Sequence, residues 1–124
     1  MMVFEQFRHY LGKAALTDGF KIQMLNWIEQ KGDDGQTQYM VFQPAGGTGR
    51  LDDLGADDNV QVILVSGQNN PQPVIQHAQK ILDYVAVHPD DDCLNAVFNL
   101  GGLPVPIPTQ ENRYVIRLLF RCTS

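Results

Sequence analysis

A chain of 124 residues with 44% apolar and 19% charged side chains is sized for one hydrophobic core and composed like a folded domain rather than a disordered segment. Nine Lys and Arg against fourteen Asp and Glu leave a formal net charge of -5, which argues against general nucleic-acid binding, where a basic footprint is expected. No apolar run approaches a membrane span, Met1 to Leu11 lacks the basic leader of a signal peptide, and two cysteines (Cys93 and Cys122) are too few for a disulfide framework, so a reduced, soluble, cytoplasmic protein is expected.

In chain order, Val3, Phe4, Phe7, Tyr10, Leu11 and Ala14 recur at spacings of three and four, which predicts an amphipathic helix over 3–16 that Thr17-Asp18-Gly19 ends. Gly12 weakens it by roughly 1 kcal/mol relative to Ala. Residues 20–30 carry two periods at once. Ile22, Leu25 and Ile28 repeat as on a helix, while Phe20, Ile22 and Met24 alternate as on a strand. Segment length, a cap at Asp18 and the stop at Lys31-Gly32 favour a second short helix, with a strand as the alternative. A polar loop follows over 33–37.

Tyr39, Val41 and Phe42 predict a strand over 38–43 that Pro44 terminates. Residues 45–58 then hold Gly46, Gly47, Gly49 and Gly55 with Asp52, Asp53, Asp57 and Asp58, which predicts a long exposed loop. The β-branched run within 59–66 suits a strand covered on both faces. After Pro71 and Pro73, the stripe Val74, Ile75, Ala78, Ile81, Leu82, Val85 and Ala86 marks a strong amphipathic helix, closed by His88-Pro89. Asp90-Asp91-Asp92 make an acidic turn before a strand over 93–100. Pro104, Pro106 and Pro108 require an extended segment at a sheet edge or in a crossing loop, and a final strand spans 112–122. The order of elements predicts one small α+β domain, a mixed and mostly antiparallel sheet with helices packed on it.

Residues able to do chemistry do not converge in this pattern. Ala45-Gly46-Gly47-Thr48-Gly49-Arg50 follows a strand, but no lysine follows the glycines and Asp52-Asp53 would repel a phosphate, so no nucleotide cradle is expected. His9, His77 and His88 fall on separate elements without metal-ligand spacing, and the aspartate runs lack the alternating oxygens of a calcium loop. Ser66 lacks a nucleophile elbow, and Cys93 follows three carboxylates that blunt a thiol. No enzyme, cofactor or metal is expected.

The last strand is the informative one. Alternation puts Tyr114, Ile116, Leu118, Phe120 and Cys122 on one face and Arg113, Val115, Arg117, Leu119 and Arg121 on the other. Three of the nine basic residues thus share a row. Such a row is either solvated and paired within the chain, or it meets acidic loops of a neighbouring copy or lines a pore that DNA crosses.

The ending Leu103-Pro104-Val105-Pro106-Ile107-Pro108, a polar turn Thr109-Gln110-Glu111-Asn112, then Arg113-Tyr114-Val115-Ile116-Arg117-Leu118-Leu119-Phe120-Arg121 resembles that of small phage tail-terminator or tail-completion proteins. The preceding order agrees: an N-terminal helix, Val41-Phe42-Gln43-Pro44, a loop, Val60-Gln61-Val62-Ile63-Leu64-Val65 and one long helix. The resemblance implies a phage or prophage structural protein of the virion tail. It would assemble in the host cytoplasm and close the tail tube as a ring, commonly of six copies, that offers a surface to the head connector. It further implies subunit contacts or lumen positions at Arg113, Arg117, Arg121, Arg50, Asp52 and Asp53, with no cofactor. The competing expectation is a cytoplasmic small-ligand or protein-binding module that uses the glycine-rich stretch as a lid.

Overall fold

In a computed structural model of the protein, residues 3–25, 35–49, 57–89, 96–110 and 112–123 are described. Helix α1 (Val3–Lys13) is followed by strands β1 (Lys21–Met24), β2 (Tyr39–Gly49) and β3 (Asp57–Val65), helix α2 (Gln72–Val87), and strands β4 (Ala96–Leu100), β5 (Ile107–Pro108) and β6 (Tyr114–Thr123). The six strands form one sheet in the order β1-β2-β3-β6-β4, with β5 also pairing with β6. The β1–β2 pair is parallel and the others are antiparallel, so the α+β expectation holds.

Both helices lie on one face of this sheet because their apolar stripes have nowhere else to be buried. Phe4, Phe7, Tyr10 and Leu11 of α1 and Val74, Ala78, Ile81 and Val85 of α2 are buried against Met40, Phe42, Val60, Val62, Leu64, Ile116, Leu118 and Phe120. Phe7 is the hinge of this packing, with its ring 4.7 Å from that of Phe120 and 6.3 Å from that of Phe42. Pro73 fits the first turn of α2, where a missing N–H costs nothing. The Tyr10 hydroxyl donates to the His88 carbonyl and so ties α1 to the end of α2.

Three sequence expectations need correction. The segment after Gly19 enters a strand rather than a helix. Gly19 takes φ +84°, and Lys21–Met24 then pair with Tyr39–Phe42 of β2. Ile22 and Met24 pack against the core, so the two-residue period prevails because an edge of β2 is available. Residues 26–34, which include Ile28 and Lys31-Gly32, lie outside the described residues.

Strand β2 does not stop at Pro44. Pro44 pairs with Val60, and the ladder continues through irregular register to Gly47 opposite Asp58 and Gly49 opposite Asp57. The Phe42 carbonyl accepts from Leu25 N–H on the β1 side. Pro44, two residues on, faces the same way beyond the last β1 pair, where its missing donor is not needed. Residues 45–49 and 57–58, expected in a loop, are therefore strand, while 50–56 lie outside the described residues. So do 90–95, which carry the acidic turn and Cys93.

Helix α1 ends at Lys13, earlier than its apolar pattern suggests. Its last carbonyls are taken up by the turn instead, with Ala14 and Leu16 N–H donating to the Leu11 carbonyl and Ala15 N–H to Gly12.

Candidate functional site

Strand register assigns every residue of the central sheet to a face. Opposite the helical layer, Arg117 pairs with Ile63, Leu119 with Gln61 and Leu100, and Arg121 with Asn59 and Phe98. No described helix covers this outer face. It falls into two parts of different character.

At the β1–β2 end, Tyr39, Val41 and Val65 are buried although they point away from the helices. Arg113 lies here too, and it is fully buried rather than part of an exposed row. Its Nη1 donates to the Thr37 carbonyl (2.6 Å) and to the Ser66 carbonyl (3.0 Å), and its guanidinium carbon sits 5.4 Å from the centre of the Tyr39 ring. Arg113 thus joins the approach to β2, the end of β3 and the start of β6. Ser66 completes the joint. Its Oγ accepts from Tyr114 N–H (2.8 Å) and donates to the Gly67 carbonyl (2.8 Å), so this hydroxyl is committed to structure.

At the β6–β4 end the face is open. Arg117 and Arg121 are exposed, about 13 Å apart along the strand at roughly 3.3 Å per residue, and Leu119 between them is half-buried. Phe98 is 52% exposed beside Arg121. Of the three arginines expected in one row, the structure brings together two. Arg50, Asp52 and Asp53 lie outside the described residues.

The remaining chemically capable groups are dispersed. His77 is half-buried between α2 and the turn before β1, with its Nε2–H donating to the Leu16 carbonyl and its ring 4.5 Å from Phe20. Burial holds its pKa below the usual imidazole value of 6.5, with a lesser contribution from Lys80, against the hydrogen bond to Leu16. The Cys122 thiol is buried in the core, its pKa pushed up to about 12 by burial and then by Asp58, which keeps it protonated and inert. Among the described residues no group of His, Cys, Asp and Glu is placed to hold a metal ion. An open depression of about 410 Å³ is lined by Glu5, Arg8, His9, Gly12, Thr17 and Met24. Four of those six line one face of α1.

One feature of the open face escaped sequence reasoning. Of the seven large apolar side chains exposed among the described residues, five fall within ten positions: Phe98, Leu100, Leu103, Val105 and Ile107. The alternation of Leu103, Val105 and Ile107 with Pro104 and Pro106 was the available signal, since those two half-buried prolines leave the intervening side chains outward.

An uncovered sheet face of arginine and apolar side chains suits contact with other protein surfaces better than turnover of a small molecule. No curated protein sequence matches the chain. The family model of phage tail termination proteins matches residues 1–124, the whole chain, and the protein belongs to that family.

Proposed function

We propose that this protein is a non-catalytic structural component of the phage tail that associates with copies of itself into a ring, of six in the arrangement its family resemblance implies, and thereby closes the tail and meets the head connector. Family membership carries the tail role. The observation that supports self-association is the open β6 face, where Arg117 and Arg121 stand exposed on an acidic protein of net charge -5. Guanidinium groups so placed meet carboxylates of a neighbouring copy or line a lumen that DNA crosses, and phosphate contact there needs no base readout. Arg50, Asp52 and Asp53 are further contact candidates in this scheme. Arg113 is not, because its side chain is buried within one chain. Other tail proteins are the expected partners, the virion tail the place of action and the host cytoplasm the place of assembly. No described helix is long and apolar enough to cross a membrane.

The test is the double variant Arg117→Glu/Arg121→Glu. Light scattering coupled to size exclusion should show the wild type as a closed oligomer and the variant as smaller species with an unchanged circular dichroism spectrum. Normal tail completion by the variant in a phage assembly assay would defeat the role given to these residues.

A further inference from the structure

We infer that the border of the sheet from Phe98 to Ile107 is a docking surface for a second copy of this chain, engaged head-to-tail through side chains rather than by strand addition. The inference rests on the self-association proposed above and adds to it the surface and the mode of contact.

The border is held in place. β4 and β5 both pair with β6 along the same side, at Leu119–Thr123 and Tyr114–Val115 respectively, and residues 101–106 bridge between them. Gly101 and Gly102 take φ +94° and +69°, which turns the chain out of β4. Asn99 fastens that turn, its Nδ2 donating to the Leu119 carbonyl (3.1 Å) and its Oδ1 accepting from Gly102 N–H (3.0 Å). At the far end Thr109 N–H donates to the Arg113 carbonyl (2.8 Å), and Arg113 N–H donates to Thr109 Oγ1 (3.2 Å). Three prolines stiffen what lies between.

Pro104 and Pro106 are half-buried, and the residues alternating with them point outward: Leu103 41%, Val105 82% and Ile107 57% exposed. A stiff strap pinned at both ends cannot turn these side chains inward. It presents them already ordered, which lowers the entropic cost of binding.

Strand addition is disfavoured at this border. The prolines have no N–H to donate, and Val97 N–H already donates to the Pro89 carbonyl (2.7 Å). What the border offers is an apolar strip with Arg121 opposite Phe98 and Arg117 four residues back along β6. A second copy carries the matching charge, since fourteen acidic residues outnumber nine basic ones. Two such borders set face to face would oppose arginine to arginine. The strip therefore meets a different surface of the neighbour, the heterologous contact that closes into rings.

The experiment compares the wild type with Leu103→Asp/Val105→Asp across a concentration series by light scattering, with thermal melting as the check on folding. The double variant is expected to raise the apparent dissociation constant of self-association about tenfold or more. A wild type that associates and a folded variant that associates equally well would overturn the docking surface while leaving self-association standing. A wild type that stays monomeric throughout would overturn both. A monomeric wild type that captures purified tail-tube subunits, and loses them in the variant, would overturn the choice of occupant. Should the variant fail to fold, amide exchange of the unmodified protein decides. Protection at Leu103, Val105 and Ile107 is expected to grow with protein concentration, and concentration-independent exchange at all three would overturn the inference.

Discussion

The two sides of β6 carry the same strand to different ends. Facing the helices, Ile116, Leu118, Phe120 and Cys122 are buried against α1 and α2. On the reverse, one residue out of step, Arg117 and Arg121 are exposed and Leu119 is half-covered. A single stretch of alternating sequence thus folds the domain with one set of side chains and leaves Arg117 and Arg121 of the other set exposed. The difference teaches that alternation assigns a side chain to a face, while the neighbours on that face decide its fate. Arg113 makes the point, because it shares the outer face yet is enclosed by Tyr39 and by carbonyls of Thr37 and Ser66.

That contrast is most severely tested from the helical side. Phe120→Ala should cost about 3–5 kcal/mol of stability in chemical denaturation, because the ring fills space beside Phe7. Arg117→Glu/Arg121→Glu should move the same measurement by no more than about 0.5 kcal/mol. Similar losses in both would erase the division between the two sides. Intermediate in size is Arg113→Ala, expected to cost roughly 2–3 kcal/mol by depriving buried carbonyls of a charged donor. A neutral result there would return Arg113 to the exposed group.

The smallest effect concerns pH. His77 has its pKa lowered in the fold, chiefly by burial, so the unfolded chain binds its proton more readily. Its contribution to stability is complete above the unfolded value of 6.5 and is lost as pH falls through the interval down to the folded value. His77→Gln, which keeps a donor for the Leu16 carbonyl, should flatten the melting temperature below pH 6.5. An unchanged slope would place the acid sensitivity elsewhere.

Much of the fold is legible in the residues. The stripe from Val74 to Val85 is buried as a helix, and the run from Val60 to Val65 is an inner strand, but the cover expected on both its faces is incomplete, since Ile63 on the side away from the helices is only half-buried. The short β1 was not legible, because Ile22 belongs both to the helical repeat with Leu25 and Ile28 and to the alternation with Phe20 and Met24, and only pairing with β2 decides. The extension of β2 past Pro44 was hidden for a similar reason, since the harm done by a missing donor depends on whether a partner strand is still alongside. Of the candidate site, Arg117 and Arg121 were found by alternation. The apolar border was not legible because either alternation of the strand over 93–100 could face the core, and only pairing with β6 buries Val97 and leaves Phe98 outside.

The ladder between β3 and β6 sets how this domain must come together in time. Val65 stands opposite Val115 and Asp57 opposite Thr123, so the middle of the sheet cannot form until stretches fifty or more positions apart have met. Closing such wide loops is slow, and rates in the range of milliseconds to seconds are typical where distant strand pairing dominates. Throughout that wait the chain displays its sticky residues without the shape that makes them selective. Dilute, unhurried refolding should therefore yield more correctly folded protein than rapid dilution from concentrated stock.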